Sequence, residues 1–389
     1  MSSCTSKNDP ALVSAAIEHL NAIGAASVMF TNASDVKAAL PQLLKYRMLA
    51  VCTGCDPALF ASTETGGLLF NMVPDYGPTV NPLVSRWVRD MEARIRAGSG
   101  PVNGTKLRLL YLSPKTPSAA ALEKTIAGTL TVNGMSVAQQ ADDFRYLDVP
   151  VNAPDFAEVA GGIASFRPDI VLLAADGASL TEYLPRIEGA WPADVAKPQY
   201  MLLSNSTKDE DIIHTVGGNE DLRKRVTGFR VSSSYGTQSN YEGFVTRYRS
   251  KYGLGAPSSG ASYEAFYFIG HAIAAASVRA TEVAGRVSGR DAALQIPFIT
   301  DPSNTRIIDV SPSGFFDGLL LLYSREYFRL RGTHWDFAFD YATGAQTSDA
   351  FVYCPVRDDQ GGLVMKAAIV YRRATKSLVA AFDPGICAW

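Results

Sequence analysis

The sequence repeats one plan twice, about 143 residues apart, a spacing that calls for two similar lobes and not one continuous core. The first copy runs Val28-Met29-Phe30-Thr31-Asn32-Ala33-Ser34-Asp35, then a helical stretch with Leu40-Pro41, then the apolar run Met48-Leu49-Ala50-Val51-Cys52. The second runs Val171-Leu172-Leu173-Ala174-Ala175-Asp176-Gly177-Ala178-Ser179, then a helix with Leu184-Pro185, then Tyr200-Met201-Leu202-Leu203-Ser204-Asn205. Each is a short buried strand, a small polar turn, a helix and a strand. Such strand-to-helix turns present backbone N–H groups to a ligand, and two facing lobes of this kind form a cleft.

Strand and helix patterns alternate almost throughout, which predicts α/β architecture: two doubly wound parallel-sheet lobes joined by a hinge. The length of 389 residues and 47% hydrophobic content supply two cores. The expected division is 1–102 for the first lobe, 103–235 for the second, 236–305 for helices returning to the first, and 306–389 for a hinge-proximal β-rich tail. The glycine-rich segment Gly98-Ser99-Gly100-Pro101-Val102-Asn103-Gly104 marks the first crossing and Ser232-Ser233-Ser234-Tyr235-Gly236 the second. Asp9 before Pro10 predicts a capped first helix. Asp209-Glu210-Asp211 reads as the solvated start of another helix.

Charge excludes some partners. With Lys+Arg 36 against Asp+Glu 38, the net charge of −2 offers no basic field for nucleic acid. The longest apolar runs, such as Leu319-Leu320-Leu321-Leu322-Tyr323, fall far short of the roughly 20 residues that span a bilayer. Enzyme signatures are missing too: there is no GxSxG, HExxH, Walker A or GxGxxG motif, and the four histidines form no close pair.

Five cysteines stand at 4, 52, 55, 354 and 387, too scattered for a zinc ribbon. Cys52-Thr53-Gly54-Cys55 is compatible with a redox pair, half a metal site, or a structural cysteine or disulfide. Cys354 and Cys387 share the tail, where an exported protein permits them to pair.

The polar residues at the strand ends are the candidate ligand contacts. From the first lobe these are Asn32, Ser34, Thr53 and Cys55, able to hold a carboxylate or another polar group. Ser34 is equally explained as a helix N-cap. The second lobe offers Asp176, Asn205 and Ser206, for which ordinary turn chemistry is the alternative. Tyr76, Tyr235 and Tyr263 are candidates to stack on a ligand near the hinge, or to pack there.

The order of several segments resembles the type I periplasmic binding proteins, in particular the branched-chain amino-acid-binding branch that serves ABC importers. The carrying segments are Asn32-Ala33-Ser34 after its strand, Asp56-Pro57-Ala58-Leu59 after the next, and Leu69-Phe70-Asn71-Met72-Val73-Pro74-Asp75 before a helix. Asp155-Phe156, Arg167-Pro168-Asp169-Ile170-Val171, Phe244 with Tyr248, Ala261-Ser262-Tyr263-Glu264-Ala265 and Phe337-Ala338-Phe339-Asp340-Tyr341-Ala342-Thr343-Gly344 follow in the family's order. None is specific alone.

The resemblance implies an extracytoplasmic binding protein, periplasmic or cell-surface, that closes its lobes on a small polar ligand, an amino acid or related compound. It implies delivery to the permease of an ABC importer, a monomer, and neither cofactor, metal nor catalytic residue. A ligand-sensing receptor domain is the nearest alternative, and a doubly wound enzyme such as a sugar-nucleotide transferase is the alternative from another class. Three departures stand out. The family's opening strand and helix, and an export signal, are expected upstream of residue 1. Cys55 stands where amino-acid-binding members carry a hydroxyl residue, and Asn71 where arginine is common.

Overall fold

The computed structural model describes residues 9–55, 58–61, 64–74, 77–114, 117–149, 156–174, 177–203, 209–231, 238–253, 260–279, 286–333, 335–373, 375–380 and 387. They fall into two compact units, Met1–Tyr76 with Ser232–Ser348 and Gly77–Val231 with Asp349–Trp389.

The first unit opens with α1 (Pro10–Ala22), whose cap is Asp9: its carboxylate accepts the Ala11 N–H at 2.9 Å while Pro10 takes the first helical position. Val13, Ile17 and Leu20 form its buried stripe. Then come β1 (Ser27–Phe30), α2 (Ala33–Tyr46), β2 (Leu49–Cys52), the single turn α3 (Ala58–Ala61) and β3 (Leu69–Asn71). The strands form a parallel sheet in the order β1-β2-β3. All four residues of the middle strand, β2, are buried, as a strand covered on both faces requires.

The second unit contains α4 (Gly77–Ala97), β4 (Leu109–Pro114), α5 (Pro117–Thr129), the small hairpin β5 (Thr131–Val132) and β6 (Met135–Ser136), β7 (Phe144–Val149), α6 (Phe156–Phe166), β8 (Ile170–Leu173), α7 (Gly177–Ala190), β9 (Gln199–Leu202), α8 (Asp209–Val216), α9 (Glu220–Arg225) and β10 (Val226–Val231). The chain returns to the first unit with α10 (Gln238–Tyr252), α11 (Ala261–Arg279), α12 (Gly289–Thr300), β11 (Ile307–Asp309), α13 (Pro312–Tyr323), β12 (Arg329–Arg331), β13 (Phe339–Asp340) and β14 (Ala345–Gln346). It ends in the second with β15 (Ala350–Arg357), β16 (Leu363–Arg372) and β17 (Ser377–Ala380).

The repeat is built as the sequence lays it out. β1-α2-β2 and β8-α7-β9 each join two neighbouring parallel strands of four residues through a 14-residue helix with an internal proline, Pro41 or Pro185. The tail departs from expectation in two ways. Residues 306–389 are not uniformly β-rich, because α13 lies among them: Ser311 caps it through the Gly314 N–H at 2.9 Å and Pro312 takes its first position. Nor is the pairing parallel throughout. β15, β16 and β17 extend the second unit's sheet antiparallel beyond β10, in the order β17-β16-β15-β10-β9-β8-β4-β7.

The segment Gly98–Gly104 lies inside the second unit. Asp169, at the entry to β8, holds it by accepting the N–H of Val102 at 2.8 Å and that of Arg108 at 2.8 Å, and Asn103 donates to the Arg167 carbonyl at 2.8 Å. Helix α4 also packs here, against β15 and β16. In the same unit Arg225 and Glu188 form a buried ion pair at 2.7 Å, and the Tyr200 hydroxyl donates to the same carboxylate at 2.7 Å. Burial by itself would raise the Glu188 carboxyl, but the Arg225 hydrogen bonds and charge outweigh it and hold the group below the ordinary range.

Two disulfides close loops of different size: Cys52 to Cys55, with Cα atoms 5.7 Å apart, and Cys354 to Cys387, 5.8 Å apart. The structure shows the disulfide among the readings of the CxxC: both cysteines are buried in the first core, and their bonded sulfurs offer no thiolate to a metal. The chain-entropy cost of opening scales with loop length. Replacing both cysteines by alanine should therefore cost about 2 kcal/mol at Cys52 and Cys55 but about 4 kcal/mol at Cys354 and Cys387, an ordering that denaturant titration of the two double variants checks.

His271 in α11 is fully buried, with Nδ1 2.8 Å from the Tyr267 carbonyl oxygen and its ring against Phe315 and Phe328. Burial drives its pKa down to about 4. An unfolded histidine titrates near about 6.5, so as pH falls through this interval the unfolded chain takes up a proton that the folded chain refuses. Stability should drop by up to about 1.4 kcal/mol per pH unit between about 6.5 and 4. Comparing the pH dependence of unfolding with that of His271→Gln isolates the contribution; equal slopes would refute it.

Candidate functional site

The carboxyl ends of β1 and β2 carry the candidate site. Thr53, immediately after β2, is tied to β1 twice: its N–H reaches the Phe30 carbonyl at 2.9 Å and its hydroxyl reaches the same oxygen at 3.2 Å. Gly54 follows because nothing larger fits, a Cβ there standing 2.3 Å from the Thr31 carbonyl oxygen. Cys55 then returns the chain to the core through its disulfide. Its carbonyl accepts from the buried Asn71 side chain at 3.3 Å, while the Asn71 N–H reaches the Gly344 carbonyl at 2.9 Å. The amide at 71 thus fastens three segments where the resembled family commonly carries arginine.

Helix α11 brings its first turn to this point. The Ser262 hydroxyl donates to Thr53 Oγ1 at 3.4 Å. Among the described residues the N–H groups of Gly54, Ser262 and Tyr263 have no intramolecular acceptor, the last two being the orphan donors of a helix start. Tyr263 receives a hydrogen bond from the Arg247 guanidinium of α10 at 3.1 Å and lies among Phe244 at 4.8 Å and Tyr267 at 4.9 Å between ring centroids. Burial, with the Tyr263 hydroxyl, pushes the Tyr267 phenol up to about 12. Arg247 itself is exposed and, among the described residues, faces no carboxylate partner. Open N–H groups, hydroxyls and a guanidinium suit an anionic or carboxylate-bearing group.

The proposed contacts divide accordingly. Thr53 and Tyr263 meet this cluster, one directly and one through its neighbour Ser262. Asn32, and not Ser34, is the cap of α2: its Oδ1 accepts the Asp35 N–H at 2.8 Å, and Ser34 spends its hydroxyl on that same oxygen at 2.7 Å. Asn32 Nδ2 donates to Asp35 at 3.0 Å, so the pair's polar atoms serve the helix start. Cys55 has its sulfur in a disulfide and no hydrogen to donate. Tyr76, Asp176, Asn205, Ser206 and Tyr235 lie outside the described residues.

Arg247 and Ser262, which the sequence reading did not single out, join the cluster through Tyr263 and Thr53. The second unit adds another group along the paired strands β4 and β7. There Tyr111 and Tyr146 stack with centroids 5.5 Å apart, and the Tyr146 hydroxyl hydrogen-bonds Asp148. Burial and that bond raise the Tyr146 phenol to about 12, and burial with the Asp148 charge raises the Glu123 carboxyl. Tyr146 and Asp148 alternate along one strand face, a spacing the sequence does display.

A family model described as periplasmic binding protein matches residues 2–309, and the chain belongs to that family. No curated protein matches the sequence significantly. Among solved structures, a leucine binding protein from Thermotoga maritima is similar at 10% identity, covering 96% of this chain and 87% of its own, with a TM-score of 0.53. A leucine-, isoleucine-, valine-, threonine- and alanine-binding protein from Brucella ovis is similar at 11% identity, with 95% and 83% coverage and a TM-score of 0.56. A solute binding protein of an ABC transporter from Rhodopseudomonas palustris, in complex with 3,4-dihydroxybenzoic acid, gives 11% identity, 97% and 85% coverage and a TM-score of 0.52. Among the described residues, no helix is long and apolar enough to cross a membrane.

The geometry separates two kinds of variant. Gly54→Ala should destabilise the fold by about 1–3 kcal/mol, since the turn has to move off the Thr31 carbonyl. Ser262→Ala should change stability by less than about 0.5 kcal/mol, the range of an exposed surface change. Thermal unfolding of the two variants beside the parent distinguishes these outcomes.

Proposed function

We propose that this protein is an extracytoplasmic solute-binding protein that captures a small carboxylate-bearing solute, an amino acid or a related acid, and passes it to the permease of an ABC importer. The family match over residues 2–309 carries the reading. The first-unit cluster supports the ligand class. Three open N–H groups and the Arg247 guanidinium supply donors in excess of acceptors, as an anionic oxygen demands. Nearby aromatic rings from α10 and α11 supply apolar surface for the remainder of such a molecule. The amino-acid binders and the dihydroxybenzoate complex among the similar structures share a carboxylate, which favours the same class. Binding without turnover distinguishes this reading from an enzyme.

Leucine, isoleucine, 3,4-dihydroxybenzoate, acetamide and glucose form a discriminating panel for thermal-shift and calorimetric titration. At one hundred times its dissociation constant a genuine ligand adds about 2.7 kcal/mol of stability. One of the three acids should shift the transition and be recovered chemically unchanged, and Arg247→Ala should weaken it at least about 10-fold, the worth of one charge-assisted hydrogen bond. A shift by glucose alone, or conversion of the bound compound, would overturn the proposal.

A further inference from the structure

A groove of about 240 Å³ runs between β7 and α6 in the second unit. Leu110, Leu147 and the buried Ile163 line it, and Gly162 leaves its helical wall open, since a Cβ there would meet no atom within 4 Å. The volume lies below the roughly 300–1,000 Å³ of a small-molecule pocket and suits a side chain of a larger partner.

Opposite charges mark the two ends of this groove. Arg145 on β7 lies over the ring of Phe166, the last residue of α6, 4.4 Å from its centroid. Glu158 stands in the first turn of the same helix, and the eight residues between it and Phe166 amount to about 12 Å of helical rise. Both charged side chains are exposed and border the groove, and among the described residues neither has a hydrogen-bond or ion-pair partner. Arg108, the other guanidinium near Phe166, is engaged with the Phe166 carbonyl at 2.9 Å.

Strand β7 is also the terminal strand of its sheet. Its register sets Leu109 of β4 beside Phe144, and the Leu109 N–H reaches the Asp143 carbonyl at 2.8 Å, so Arg145 and Leu147 give their backbone groups to β4. The N–H and carbonyl of Tyr146 therefore point away from β4, and among the described residues no other strand takes them. An open strand edge beside a groove accepts an extended chain, which adds as a further strand and turns alternate side chains into the groove. In such a chain residues i and i+4 share a face about 13 Å apart, the spacing of the two charged ends.

We propose that the β7–α6 groove docks an extended segment of a partner protein in which an acidic, an apolar and a basic residue alternate with single spacers. The acid meets Arg145, the apolar side chain fills the space beside Gly162, and the base meets Glu158. The contact uses none of the candidate ligand residues, so it is separate from solute capture.

Fluorescence anisotropy of the full chain with labelled acetyl-Ser-Glu-Thr-Leu-Thr-Lys-Ser-amide should show saturable binding. Replacing the peptide's leucine by serine, or its glutamate by lysine, should weaken binding at least about tenfold. Gly162→Leu should do the same by filling the groove, with thermal unfolding unchanged or raised because leucine replaces a glycine inside a helix. Glu158→Arg should reverse the charge preference, favouring a peptide with glutamate at both ends. No saturable binding up to about 1 mM, binding indifferent to Gly162→Leu, or equal affinity for the charge-altered peptides overturns the proposal. So does a dimer in sedimentation velocity that Gly162→Leu disperses, which would make the occupant a second copy of this chain.

Discussion

The carboxyl end of β2 is the constraint on which the first unit's candidate edge depends. One carbonyl, that of Phe30, accepts both the backbone and the side chain of Thr53, so the end of β2 is fixed to the end of β1. The Cys52–Cys55 disulfide and the Asn71 amide hold the turn from the other side, and the contact of Gly54 with the Thr31 carbonyl leaves it no room to rotate. A turn held from three directions is fixed in place, and the start of α11 meets it through the Ser262–Thr53 hydrogen bond. Preorganisation of this kind lowers the ordering cost of binding, which is why rigid strand ends recur as ligand sites.

The buried polar groups of the two units illustrate different solutions to desolvation. In the second unit, Glu188 is satisfied by Arg225, Lys197 and the Tyr200 hydroxyl, so the charge is retained inside the protein. In the first unit, His271 faces no counter-ion among the described residues, and burial against its aromatic walls keeps it neutral. Pairing preserves ionisation and isolation suppresses it. The first couples the second unit's helices α7 and α9, while the second leaves the first unit sensitive to acid.

Much of the fold was legible because parallel α/β units write themselves locally. The four-residue strands around α2 and α7 are short apolar runs bounded by polar turns, and Phe144–Val149 and Val226–Val231 are short segments rich in β-branched and aromatic residues, which the sequence shows locally. Helix α12 was not read: it begins at a capping box formed by Ser288 and Asp291, but Pro297 interrupts its interior and obscures the pattern. Helix α13 was hidden by its own surface. Its apolar residues face both ways, so the run through Leu319–Tyr323 shows no amphipathic period. Of the candidate cluster, Thr53 and Tyr263 were visible as polar or aromatic residues at element ends. Arg247 was not, since an arginine within a charged helix looks like any solvated cation until α11 places Tyr263 beneath it.

By itself the sequence determined the alternation of strand and helix, the twofold use of one strand–helix–strand plan, and the polar character of the turns, because each depends on residues only a few positions apart. Tertiary structure alone decided which of the polar turn residues are consumed within the chain. Asn32 and Ser34 are consumed by a helix cap, Cys55 by a disulfide, and Ser262 is brought to Thr53 across more than two hundred residues of sequence. It also decided where the last strands go, joining β15 to β10 against the direction of the rest of that sheet. The physical reason is the same in each case. A hydrogen-bonding group is assigned by the partner that reaches it first in space, and for these groups that partner is set by packing and not by the neighbouring sequence.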